Sequence, residues 1–191
     1  MPLMDFNQQA TWDTLYAAYV GPAGDQLVHY TRSVAGVHYG AAYTECRKKL
    51  PLNPAWKILI VGAGFGWGAE DFKNAGYTVT CTDTSAWIQT NLSSNATLPI
   101  LNEDILTAAG RTAIGKQDYI FTEDVLPSLS DSEVATFIAA CRLVTSHVAH
   151  LVTPLVTDGG QHPALNWKTL QQWKTAVTPD FVVDRTTATY L

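Results

Sequence analysis

Charge is scarce in this sequence. Acidic and basic residues together make up 15% of the chain, and the densest basic run is the triplet Arg47-Lys48-Lys49. A groove for DNA or RNA needs a basic stripe to neutralise phosphates, so the formal charge of −5 at pH 7 argues against nucleic acid as a partner. Cysteine is scarce as well. Cys46, Cys81 and Cys141 are far apart and odd in number, which suits reduced, buried thiols better than a disulfide frame or a metal centre. No apolar run is long enough to span a bilayer. The first residues lack the basic start and apolar stretch of an export signal. These absences predict a cytoplasmic protein with no membrane anchor and no bound metal.

What is present is ordinary apolar content, 47% of 191 residues, enough for one domain with a real core. Residues 1–54 read as a helical N-terminal part. There Thr11 caps a short helix ended by Gly21-Pro22, and Asp25 starts a second, with Leu27, Val28, Thr31, Val34, Ala35, His38 and Ala42 on one face. Tyr30, His38, Tyr39 and Tyr43 read as packing between these helices. Residues 55–191 alternate short apolar runs with helical stretches. Strands are expected at 57–61, 77–82, around 98–101, and at 119–122, 148–152, 181–183 and 188–191. Helices are expected from Ala69 to Asn74, behind the capping box Ser130-Asp131-Ser132-Glu133, and over Trp167 to Val177 with Asn166 as cap. The alternation predicts a single domain with a doubly wound, mostly parallel, Rossmann-like α/β sheet of about seven strands.

The densest chemical signal is Ile58-Leu59-Ile60-Val61-Gly62-Ala63-Gly64-Phe65-Gly66-Trp67-Gly68. A strand apolar on both faces runs into glycines at alternate positions. Glycine permits the sharp turn and lets a ligand lie on the backbone. Asp83 closes the second strand about twenty residues later, where a ribose-binding acid is expected. A dinucleotide fingerprint, G-x-G-x-x-G, requires glycine at position 67; Trp67 stands there instead, and the glycine comes one place early.

The G-x-G-x-G form resembles the first motif of class I S-adenosylmethionine-dependent methyltransferases, and the resemblance runs over roughly residues 56–152. It implies that Gly62, Ala63, Gly64 and Gly66 form the loop under the methionine and ribose, and that Asp83 and Thr84 meet the ribose. In Asn102-Glu103-Asp104-Ile105, Asp104 and Ile105 are implied adenine contacts. Asp118-Tyr119-Ile120-Phe121 resembles the family's fourth strand with its leading aspartate. Thr122-Glu123-Asp124-Val125-Leu126 resembles the segment bordering the methyl-transfer pocket, where Glu123 faces cofactor or acceptor. One position departs: the family carries an acid two residues before the first glycine, and this chain has Ile60.

Methyl transfer from a sulfonium needs alignment and desolvation, with a base only for a protonated acceptor. Asp158 and His162, after the fifth strand, are candidates for that base, and Glu123 is a third. His150 reads as a strand histidine and His147 as a helix-to-strand connector. Neither an Asn/Asp-Pro-Pro-Tyr/Phe segment nor a Pro-Cys pair follows the fourth strand, which points to a small molecule or a protein side chain as acceptor. Two other readings remain open: a nicotinamide-dependent oxidoreductase, which would lack any Tyr-x-x-x-Lys pair, and a non-catalytic relative of the fold, which Ile60 favours.

Overall fold

The computed structural model describes residues 13–14, 53–64, 66–92, 98–123, 125–152, 168–178 and 181. Strand β1 (Lys57–Val61) leads through the glycine turn into helix α1 (Trp67–Asn74), then β2 (Thr78–Thr82), α2 (Ala86–Leu92), β3 (Ile100–Leu101), α3 (Ala108–Ile114) and β4 (Gln117–Glu123). A single 3-10 turn at Leu126–Ser128 precedes α4 (Asp131–Val144), β5 (Thr145–Val152) and α5 (Leu170–Val177). All strand pairs are parallel, in the order β3-β2-β1-β4-β5.

The central position of β1 follows from its sequence. Every residue from Ile58 to Val61 is buried, and the strand's alternation divides them between two cores. Ile58 and Ile60 join Phe72 of α1, Ile88 of α2, Tyr119 and Phe121. Leu59 and Val61 join Ile120, Ile114 of α3, Val134, Phe137, Ile138 and Cys141 of α4, and Trp173 of α5. Helices therefore cover both faces, as a parallel sheet requires. Each such side chain contributes about 1.5–3 kcal/mol by leaving water.

The helix ends carry the caps that their sequences offer. Ser130 and Glu133 close a capping box on α4, and Thr169 with Gln172 closes another on α5. The cap of α5 is thus Thr169, not Asn166, which lies outside the described residues. Two further helices are α2 and α3. α2 is short and holds its apolar Trp87 and Ile88 side by side, and α3 buries only Ile114 and Gly110. Neither shows an apolar stripe of recognisable period. The fifth strand starts at Thr145, so His147 lies inside it rather than in a connector. His150 is in the strand as expected, level with Phe121. Of the strands expected beyond these five, 188–191 lies outside the described residues, and of 181–183 only Phe181 is described, without strand pairing. Of the N-terminal helices only Asp13 and Thr14 are described, and both are helical. No helix among the described residues is long and apolar enough to cross a membrane.

Gly110 shows how tightly α3 is set against the turn that follows β3. A Cβ placed on it would lie 2.0 Å from the Asp104 carbonyl oxygen, an atom of the backbone that cannot swing aside. Gly110→Ala is expected to lower unfolding stability by roughly 3 kcal/mol, at the upper end of overpacking costs, with urea denaturation as the measurement. An unchanged midpoint would mean that the turn at Asp104 yields freely.

Candidate functional site

In an open sheet of this order the crevice for ligands lies at the carboxyl ends of the strands, where the order reverses between β1 and β4. The glycine loop leaves β1 at that point. Gly62, Gly64 and Gly66 have φ of +68°, +52° and +78°, a region that side-chain-bearing residues seldom adopt. At Gly62 a second constraint operates: a Cβ would meet Val125 Cγ2 at 2.3 Å. The segment after β4 is therefore seated on the first glycine, and the loop and that segment form one surface.

The loop is fastened to the end of β2. The Ala63 N–H donates to the Thr82 carbonyl at 3.0 Å, and the Gly66 N–H to the Ala63 carbonyl at 2.8 Å. Asp83 makes the decisive link. Its Oδ2 accepts the Gly64 N–H at 2.8 Å and its Oδ1 the Ser85 N–H at 2.9 Å. Its own N–H donates to the Leu101 carbonyl, which extends the pairing with β3. The side chain is only 8% exposed. Burial pushes its pKa up from the ordinary 3.8, the two N–H donors oppose that rise, and the charge of Asp13 adds to it. Thr84, the next residue, is exposed.

The residues after β3 are used differently. Asp104 is half-buried, and its Oδ1 accepts the Leu106 N–H at 2.8 Å while its carbonyl accepts from the N–H and hydroxyl of Thr107. Ile105 is 3% exposed and packs into the second core. Asp118 lies at the other end of the sheet, where its Oδ2 accepts the Lys57 N–H at 2.9 Å. It secures the start of β1 and is remote from the crevice. Glu123 is the last residue of β4, level with Val152 of β5. Asp124, Asp158 and His162 lie outside the described residues.

Sequence reasoning placed one residue of this region only within a longer segment and missed another. Thr122, fully buried at the end of β4 and level with Val61 and Leu151, has a hydroxyl with no hydrogen-bond partner among the described residues. Its signal was a polar residue closing an otherwise apolar run. The other is Asp13, which accepts from Ser85 Oγ and the Trp87 N–H; nothing local in the sequence announces that. Ile60 sits 5% exposed between Cys81 and Phe121, so the place of the family's acid is here part of the apolar core.

Two other features carry less chemistry. The thiols of Cys81 and Cys141 are buried, and burial pushes each up to about 12, which keeps them protonated and poor nucleophiles. An open cleft of about 340 Å³ lies beside Gly115, Lys116 and Leu143, at the amino ends of β4 and β5. It is on the wrong end of the sheet for a ligand crevice, and its cations are spent on carbonyls: Lys116 donates to Leu143, Arg111 to Ile105 and Leu106.

No protein-family model matches the chain, and neither does any curated protein sequence. Solved structures do. The magnesium protoporphyrin IX methyltransferase of Synechocystis with bound S-adenosylmethionine is 14% identical, over 88% of this chain and 85% of that one, with a TM-score of 0.62. An S-adenosylmethionine-dependent methyltransferase from Archaeoglobus fulgidus is 11% identical over 74% of this chain and 67% of that one, at 0.58. A sugar N-methyltransferase from Streptoalloteichus is 14% identical over 65% of this chain and 50% of that one, at 0.51. The chain has the fold of the class I S-adenosylmethionine-dependent methyltransferases.

Proposed function

We propose that this protein is an S-adenosylmethionine-dependent methyltransferase acting on a small molecule or a protein side chain. The carrying observation is Asp83: a carboxylate held nearly out of water at the carboxyl end of β2 and bonded to the glycine loop that leaves β1 where the strand order reverses. The residues present fit the cofactor. Two N–H donors leave further lone-pair positions on the Asp83 oxygens for ribose hydroxyls. Gly64 and Gly66, both at positive φ, put no side chain of their own on the loop. The buried Thr122 hydroxyl supplies a donor still seeking an acceptor. Among the solved structures of this fold, one is named for a porphyrin substrate and one for a sugar, which supports a small acceptor.

S-adenosylmethionine, when bound, supplies a methyl group on a sulfonium whose departure needs no further activation. The protein's part is to bind, orient and exclude water. Asp83 would hold the ribose, the backbone of Gly62 to Gly66 would meet the remainder, and Asp104 with Ile105 would border the adenine. Glu123 lines the methyl-transfer side, and Asp158 or His162 takes a proton from an acceptor that has one to lose. Ile60 favours a second reading, a non-catalytic relative, because the methionine ammonium has no carboxylate at that position.

Calorimetric titration with S-adenosylmethionine, S-adenosylhomocysteine and NAD in parallel separates these readings. Heat from both sulfur nucleotides and none from NAD is expected. Silence with both would leave the non-catalytic relative, and heat from NAD alone would indicate a dehydrogenase.

Gly64→Ala is expected to weaken S-adenosylhomocysteine binding at least about tenfold, because a methyl group enters the ligand's path while the left-handed turn adds strain of about 1–2 kcal/mol. Unchanged affinity would take the loop out of the site. Alanine is chosen because a β-branched residue at φ +52° would confound binding with folding.

The pH dependence follows from Asp83. Ribose hydroxyls donate to the carboxylate, so binding favours its charged form. The raised pKa places the loss of that form above 3.8. Affinity is therefore expected to be full at neutral pH and to fall, as pH is lowered, before ordinary carboxylates titrate. The same raised pKa means that the folded chain holds this proton more tightly than the unfolded one. This group's contribution to stability is thus greatest in acid and is lost as pH rises through the folded value. A dissociation constant flat down to 3.8 would show that Asp83 does not touch the ligand.

Thr122→Val removes only the hydroxyl's polarity. With no partner among the described residues, the exchange is expected to leave Tm unchanged or higher, yet to cost about 0.5–1.5 kcal/mol of ligand binding. A fall in Tm with intact affinity would mean a purely internal role.

A further inference from the structure

The turn that carries Asp83 is braced by a residue from far outside the nucleotide-binding core. Asp13 Oδ1 accepts the Ser85 hydroxyl at 2.5 Å and the Trp87 N–H at 2.9 Å, across 72 and 74 positions of sequence. Ser85 Oγ in turn accepts the Ile88 N–H at 3.2 Å, as an N-cap does. The first turn of α2 contains no acid of its own, so Asp13 supplies the negative charge that the helix start favours. Ser85 is thereby held twice: its N–H by Asp83 and its hydroxyl by Asp13. Trp87, on the same brace, packs against the first core. One continuous chain of hydrogen bonds runs from Gly64 through Asp83 and Ser85 to Asp13.

The geometry points to Asp13 as a positioning residue for ligand binding, one that fixes the Asp83–Ser85 turn and so aims the Asp83 carboxylate at the ribose. This rests on the methyltransferase reading of the site. Without Asp13 the Ser85 hydroxyl and the Trp87 N–H turn to water, and Ser85 loses its anchor on one side. The Asp83 carboxylate then keeps its two donors but not their fixed position. A carboxylate that must be re-ordered on binding gives up part of the binding energy. Asp13 is also the one charged side chain, among the described residues, that acts on Asp83, whose other neighbours are the Gly64 and Ser85 N–H groups.

The test uses the full chain and its Asp13→Ala and Asp13→Asn variants, titrated with S-adenosylhomocysteine across pH, with Tm recorded in parallel. Asp13→Ala is expected to bind about tenfold more weakly, the scale of one lost charge-assisted hydrogen bond. Asp13→Asn keeps an acceptor oxygen at Oδ1 and restores most of that affinity. Its missing charge moves the fall in affinity to lower pH, a change that a merely structural role would not produce. Equal affinity in all three proteins overturns the inference, and so does an Asp13→Asn profile that coincides with the wild type. Should Asp13→Ala fail to fold, that pH comparison still decides. If the unmodified protein binds no sulfur nucleotide, the site reading fails first and the inference with it, an outcome recognisable because the wild type itself is silent.

Discussion

Everything at the carboxyl end of this sheet depends on one carboxylate that is almost withdrawn from water. An isolated ionised acid in that position would be costly and would take up a proton. Asp83 is kept useful by two backbone N–H groups from different elements, Gly64 of the loop and Ser85 at the start of α2. Those two bonds make the glycine turn, the end of β2 and the second helix into one unit. The raised pKa is the residue of the burial cost that the donors do not offset. A group in this state is poised to gain from further donors, which is what a vicinal diol offers.

The glycine loop answers to two demands at once. Its left-handed backbone is needed to reverse direction between β1 and α1, and Gly62 must also admit the Val125 side chain. That close approach seats the segment after β4 on the loop, beyond the pairing of β1 with β4. Ile60 belongs to the same economy of space. Flanked by Cys81 and Phe121 in the first core, it occupies surroundings in which a carboxylate would find few donors.

Much of this was legible in the sequence because strong local signals agreed with the global arrangement. The apolar run at Ile58 to Val61, the glycines behind it, the acid closing β2 and the capping box at Ser130 each specify their own conformation. The short elements were not legible for the same reason in reverse. α2 and α3 are each seven residues long, too short for a periodic stripe, and they are stabilised by caps and by the sheet. The start of β5 was hidden because a helix of good propensity runs into it without a break. Asp13 could not be found at all, since its partners are remote in sequence and only the folded chain brings them together. Asp158 and His162 lie outside the described residues.

Two aspartates that read alike in the sequence end in opposite surroundings, and the sheet's polarity explains why. Asp118 and Asp83 both flank a strand, and each accepts a backbone N–H from elsewhere in the fold. Asp118 stands at the amino end of β4, half in water, and its bond to Lys57 sets where β1 begins. Asp83 stands at the carboxyl end of β2, where the parallel strands open toward the reversal of their order. Solvated carboxylates beside a strand start lose little when nothing else binds them. A buried one keeps its charge only through the donors that reach it. The same side chain is therefore half in water at one end of the sheet and withdrawn from water at the other, with depth and strand direction making the difference.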